Sequence, residues 1–254
     1  MTANKDFTVN KDNVLVKYTG NDSEVFIPDG VEIIDDFAFR DNNTLKVVHI
    51  PDSVVTIAYG AFRQCTELTT VYMGRGVKLI GEIAFYKCAA LETVEGGDTV
   101  WWIRANAFAF CKKLKAFSFG DELETIDEGA FYSTGIVTAA FGNRLKFIGK
   151  SAFAYCHSLV SVTFGTALQT IEERAFYATA LQQICFPASL SKIGNQAFAE
   201  CRSLHKVTGL KIASFAFAGT PYGWRGVGLC QHCGGVFKGV FTQKCRECGT
   251  KKDY

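Results

Sequence analysis

The chain has 254 residues, 48% of them hydrophobic, and its 27 Lys+Arg against 25 Asp+Glu give a formal net charge of +2. It is long enough to bury a continuous core, no stretch reaches the length of a membrane span, and the polar opening MTANKDFTVNKDNVLV has no apolar run of a secretory signal. The expected location is cytoplasmic, with secretion or a cell-surface position as the alternative if a leader has been removed; in the cytoplasm the ten cysteines are reduced thiols or metal ligands rather than disulfides.

Residues 1–24 carry Asn/Asp turn chemistry between alternating apolar runs, around Asn10 and Asn13. They predict a β-hairpin that caps the N-terminal end of the domain formed by residues 25–222.

Across residues 25–222 one dipeptide returns nine times: Ala-Phe, with the phenylalanines at Phe39, Phe62, Phe85, Phe108, Phe131, Phe153, Phe176, Phe198 and Phe217. The steps are 23, 23, 23, 23, 22, 23, 22 and 19 residues. A fixed period in the twenties predicts a β-rich solenoid, in which each unit buries its apolar face only by stacking on its neighbours. Five residues before each Phe stands an Ile, from Ile34 to Ile212, and six after it usually a Leu, as in Leu45, Leu68 and Leu91. The units reading Thr-Gly-Ile136 and Thr-Ala-Leu181 lack one residue there, which accounts for the two 22-residue steps.

After that Leu comes a short alternating run: Val48-His-Ile50, Val71-Tyr-Met73, Phe117-Ser-Phe119, Val162-Thr-Phe164 and Ile184-Cys-Phe186. Period-two alternation predicts strands, which neighbouring units align into one parallel sheet at about 4.8 Å spacing. A second extended segment is expected over the Leu-x-x-Ile stretch. Each Ala-Phe turn sends its ring into the core. Three residues after each Phe stands Cys65, Cys88, Cys111, Cys156 or Cys201, or else Asn42, Thr134, Thr179 or Thr220. Small polar side chains in that set serve backbone groups of the turn, so these cysteines read as buried structural thiols rather than redox or catalytic groups.

These positions resemble the BspA-type (Treponema pallidum-type) leucine-rich repeats, whose consensus is close to L-x-x-I-G-x-x-A-F-x-x-C-x-x-L-x-x-V-x-I-P. The resemblance covers roughly residues 25–220. It implies a right-handed, curved leucine-rich repeat stack with short parallel strands that binds other macromolecules. Members are often bacterial surface proteins that attach to host matrix proteins, which makes an adhesin one possible role.

The columns expected on the concave face, such as Val47/His49, Thr70/Tyr72, Ser161/Thr163 and Lys206/Thr208, read as small, polar and weakly charged. They offer no paired carboxylates, no nucleophile–base pair and no phosphate loop, so the chain is not expected to be an enzyme. One departure stands out. Trp101 and Trp102 occupy positions that other units fill with polar pairs such as Glu124-Thr125 and Gln169-Thr170, and Leu79 lies in the column of Trp102. Exposed aromatics there predict a partner-binding surface; the alternative is that the rings fold against the neighbouring turn or the Gly96-Gly97 irregularity.

Residues 223–254 form a separate small segment. Its core is Cys230-Gln-His-Cys233-Gly234, ten further residues, then Cys245-Arg-Glu-Cys248-Gly249. Two C-x-x-C-G pairs flanking a short alternating run predict a zinc ribbon, with Cys230, Cys233, Cys245 and Cys248 as ligands. Four thiolates make a closed tetrahedral site, so the zinc is structural; iron is the chemical alternative. Residues 1–224 carry a balance of −2 and residues 225–254 one of +4, six basic against two acidic, so nucleic acid is a second possible partner through this ribbon. The function expected overall is a non-enzymatic scaffold for a protein partner, with neither the partner nor the oligomeric state specified.

Overall fold

A computed structural model of the chain describes residues 6–209 and 214–220, together with the backbone of two short strands at 237–238 and 244–245. Among the described residues the fold is a β-solenoid whose units hydrogen-bond to one another along three parallel lines.

The first line is a continuous sheet of ten strands, here called the long sheet. It starts with the antiparallel pair Phe7–Val9 and Val14–Tyr18, and the second of these pairs in parallel with Ile33–Ile34. Thereafter each unit contributes only two residues: Thr56–Ile57, Leu79–Ile80, Trp102–Ile103, Thr125–Ile126, Phe147–Ile148, Thr170–Ile171 and Lys192–Ile193. The register is invariant, Ile34 opposite Ile57 opposite Ile80 and so on, because the Ile five residues before each Phe must point inward. Leu15 occupies this column ahead of Ile34, so the N-terminal hairpin supplies the first rung as well as an end piece.

The second line corrects an expectation. The alternating runs do not form one sheet but three pieces: Glu24–Phe26 with Val47–Ile50, Thr70–Met73 and Thr93–Glu95; Thr138–Ala140 with Ser161–Thr163; and Gln183–Cys185 with Lys206–Thr208. The expected strand at 117–119 is absent. At this first break the cause lies in side-chain volume. Phe117 stands in a column otherwise filled by Val25, Val48, Val71, Val94 and Ala139, and both Phe117 and Phe119 are buried against Phe131. The larger rings keep this rung from closing on its neighbours, and the preceding Gly96 and Gly97 both take positive φ. A Cβ on Gly97 would stand 3.2 Å from the Phe117 ring, so glycine makes room for it.

The third line runs through the Ala-Phe turns. Each Phe N–H donates to the Ala carbonyl of the next unit, from Phe39 to Ala61 (2.7 Å) through Phe198 to Ala216 (2.8 Å). From Phe39 to Phe198 the residues two before and two after each Phe have positive φ, as at Ile83 and Lys87 or Arg174 and Ala178. Left-handed conformers cost non-glycine residues about 1 kcal/mol or more each. Here they aim alternate amides along the stack, so that Ile83, Phe85 and Lys87 donate to Ala105, Ala107 and Ala109. The hydrogen bonds gained offset the backbone cost.

Nine rings stack into the core behind these turns. Successive centroids from Phe62 to Phe217 lie 5.1–5.4 Å apart and the rings are within about 11° of parallel. Tyr18, stacked on Phe39 at 5.0 Å, and Phe7, 4.9 Å from Tyr18, extend the column into the hairpin.

The cysteine column is structural. The thiols of Cys65, Cys88, Cys111, Cys156 and Cys201 each donate to the carbonyl of the Phe one unit earlier, at 3.0–3.1 Å. Thr134, Thr179 and Thr220 instead donate to the Phe carbonyl of their own unit. Burial pushes the Cys156 and Cys201 thiols up to about 11 and raises Cys88 and Cys111 as well. Such groups keep their protons in the fold while the unfolded chain loses them above about pH 8.5. Stability is therefore fully present below that pH and is expected to fall from there toward pH 11. At neutral pH, alkylation of the intact chain is expected to reach exposed Cys185 and spare these thiols until the chain unfolds. Rapid native labelling of Cys111 measured by mass spectrometry would contradict this.

Candidate interaction surfaces

The Trp pair lies on the outer side of the long sheet. Trp101 is 44% exposed and its ring centroid is 5.5 Å from that of Trp102. Trp102 is half-buried and tied down: its Nε1–H donates to Asp127 Oδ2 at 3.0 Å, Arg104 Nε donates to the same oxygen at 3.0 Å, and the Arg104 guanidinium sits 4.4 Å from the Trp102 ring centroid. Leu79 pairs directly with Trp102 across the sheet and is half-buried. The three residues singled out from sequence thus adjoin one another, Trp102 braced by its neighbours and Trp101 left open, with exposed Val55 on the same side two units earlier. A Cβ at Gly96 would meet Met73 and one at Gly97 would meet Phe117 and Met73, while Trp102 is bonded to Asp127 of the next unit.

The face of the broken sheet differs from its expected character. At its N-terminal end the parallel register places Phe26, His49, Tyr72 and Glu95 in one column. Phe26 and His49 stack at 4.0 Å and 6°, and His49 and Tyr72 at 4.6 Å and 15°. Phe26 is 63% exposed and Tyr72 38%. Glu24 Oε1 lies 2.9 Å from His49 Nε2. Toward the other end the same face is small and polar, as expected, at Ser161, Thr163 and Thr208.

A further file of rings runs beside the Ala-Phe turns, Tyr86, Phe110, Tyr132, Tyr155 and Tyr177, in edge-to-face contact at 5.3–5.6 Å. It interlocks units from the outside as the phenylalanine column does from within.

Of the expected metal ligands, Cys230, Cys233 and Cys248 lie outside the described residues, and only the backbone of Cys245 lies within them. That backbone belongs to Lys244–Cys245, antiparallel to Phe237–Lys238 with Phe237 opposite Cys245. Among the described residues no group of three or more His, Cys, Asp or Glu could hold a metal ion, and no helix is long and apolar enough to cross a membrane.

The sequence profile of the BspA type leucine rich repeat region matches residues 15–138 and 124–222 with six copies. The chain belongs to the BspA-type leucine-rich repeat family. The invariant Ile register, the Ala-Phe turn and the Cys position described above are the physical content of that BspA-type repeat. Among solved structures, a leucine rich cell surface protein from Faecalibacterium prausnitzii A2-165 is similar at 32% identity and a TM-score of 0.62, over 81% of this chain and 54% of that one. This chain therefore spans about half the length of that protein. The T. pallidum leucine rich repeat protein shares the fold, with a TM-score of 0.57 at 23% identity over 80% of this chain and 90% of that one. No curated protein matches the chain.

Proposed function

We propose that this BspA-type chain is a non-enzymatic scaffold that holds a protein partner on its solenoid surface. The observation that carries this reading is Trp101: a tryptophan 44% exposed beside the strand Trp102–Ile103, at a position where other units place Glu124 or Gln169. Tryptophan presents a large area with few rotatable bonds, which makes it a common anchor of interfaces, and Arg104 and Asp127 fix the adjoining ring. Replacing Trp101→Thr together with Trp102→Lys is expected to reduce capture of partner from the source cell about tenfold or more, with a cooperative thermal transition showing that the solenoid stays folded. Undiminished capture sinks the assignment to this surface.

A cell-surface position is the second reading, favoured by the F. prausnitzii relative being a leucine rich cell surface protein; whether protease added to intact source cells cleaves the chain decides it. We further propose a structural zinc ribbon at residues 223–254. It is supported by the doubled C-x-x-C-G spacing and by the short antiparallel pair that brings Phe237 opposite Cys245 between the two cysteine pairs.

A further inference from the structure

We propose that the exposed ring stack of Phe26, His49 and Tyr72 receives an arginine side chain of a partner protein segment, stacked on Tyr72 and paired with Glu95. The inference rests on the scaffold reading and adds the chemistry of the partner. The two outward columns of this four-stranded piece are Glu24, Val47, Thr70, Thr93 and Phe26, His49, Tyr72, Glu95. They hold two carboxylates and neither Lys nor Arg, so the face selects for positive charge.

The geometry narrows the choice further. The rings stack along the sheet, so the faces of His49 are covered by its neighbours and the open faces are those at the ends of the stack. At the Tyr72 end the next rung carries Glu95 in place of a ring, exposed and without an ion pair among the described residues. Glu24, the other carboxylate, is already engaged by His49. The rung beyond Glu95 bears only Ala116 and Ser118, both exposed, and it forms no strand, so nothing of comparable size follows in the column. A planar cation can therefore continue the stack over Tyr72 while Glu95 accepts its N–H groups. Guanidinium fits both demands best, because it is flat, stacks on aromatic faces and binds carboxylate with two parallel hydrogen bonds; an ammonium is a point cation with neither the plane nor the fork.

The test is fluorescence anisotropy of the full chain with a fluorescein-labelled Gly-Arg repeat peptide, beside Gly-Lys and Gly-Glu repeats of the same length. The Gly-Arg peptide is expected to bind, with Gly-Lys weaker by about fivefold or more and Gly-Glu not binding. Tyr72→Ser and Glu95→Gln are each expected to weaken Gly-Arg binding by about fivefold or more, and Tyr72→Phe, which keeps the ring, to retain it. Both positions are exposed, so the thermal transition serves as the folding control. Parent-like binding by Tyr72→Ser or Glu95→Gln, equal affinity for the Arg and Lys peptides, or no binding at all overturns the proposal. Loss of binding only in the Trp101→Thr, Trp102→Lys chain also overturns it, placing the segment on the long sheet and leaving the scaffold reading standing.

Discussion

Phe131→Ala is expected to destabilise the solenoid by about 3–5 kcal/mol, the range for removing a fully buried ring whose surroundings cannot collapse. Phe131 is fully buried, stacked on Phe108 at 5.2 Å and Phe153 at 5.1 Å, and packed edge-on by Phe117 and Phe119. Its amide and those two residues to either side are committed to the next unit, through Phe131 to Ala152, Gly129 to Lys150 and Ser133 to Ala154. The backbone is thus pinned and cannot move in to fill the space. Because each unit contacts only its neighbours, the damage falls on the joint between the two halves of the stack. Urea unfolding of a chain in which the third tryptophan is replaced, Trp224→Phe, followed by the fluorescence of Trp101 and Trp102 and by far-UV circular dichroism, is expected to give two transitions that no longer coincide. Phe26→Ala, at a ring 63% exposed, is expected to change stability by no more than about 0.5 kcal/mol. A loss below about 1 kcal/mol for Phe131→Ala would contradict the stacked-column account.

The second large effect concerns the proposed ribbon. The purified chain is expected to carry one zinc, and Cys230→Ser or Cys248→Ser to abolish it. Structural zinc in peptides of this size contributes roughly 10–16 kcal/mol of apparent binding free energy at neutral pH, far more than thirty residues can gain by burial. Loss of one thiolate therefore leaves residues 223–254 without a folded state, read out as rapid proteolysis of the tail. The solenoid transition should stay where it was, since the thiols of Cys65, Cys88, Cys111, Cys156 and Cys201 bond carbonyls rather than metal. Stoichiometry by inductively coupled plasma mass spectrometry checks the prediction; a chain without metal, or a Cys245→Ser variant with undiminished zinc, rules it out. A visible thiolate-to-iron absorption band would instead identify the iron alternative.

The repeat itself was legible because burial forces a fixed spacing. Ile34, Phe39 and Leu45 all point inward, and any slip would expose them. Sheet continuity was not legible, since hydrogen bonding between rungs depends on how volumes match across units, and Phe117 breaks a line that Val71 and Val94 keep. The left-handed residues at Ile83 and Arg174 gave no sign in the sequence, because a backbone demand met collectively by stacked amides does not require glycine at every position. The pairing of Leu79 with Trp102 followed from column alignment. The ring stack was missed although Phe26, His49, Tyr72 and Glu95 recur at 23-residue steps. Ending the cap at residue 24 cuts through the strand Glu24–Phe26, which is already the first rung of the broken sheet and carries the first ring of the column.

The donors of the Ala-Phe turns point to the next unit, whereas those of the long sheet point back, as from Ala58 to Ile34 and from Gly81 to Ile57. Each unit therefore offers its successor the same array that its predecessor offered to it. Whole units can be duplicated or deleted with no donor stranded, while a partial insertion in the turn would shift one line of bonds against the others. Thr134 and Thr179 mark where this chain tolerates a missing residue, in the bend after the turn, outside all three lines. Growth and shrinkage of such a molecule are thus quantised by its own hydrogen bonds.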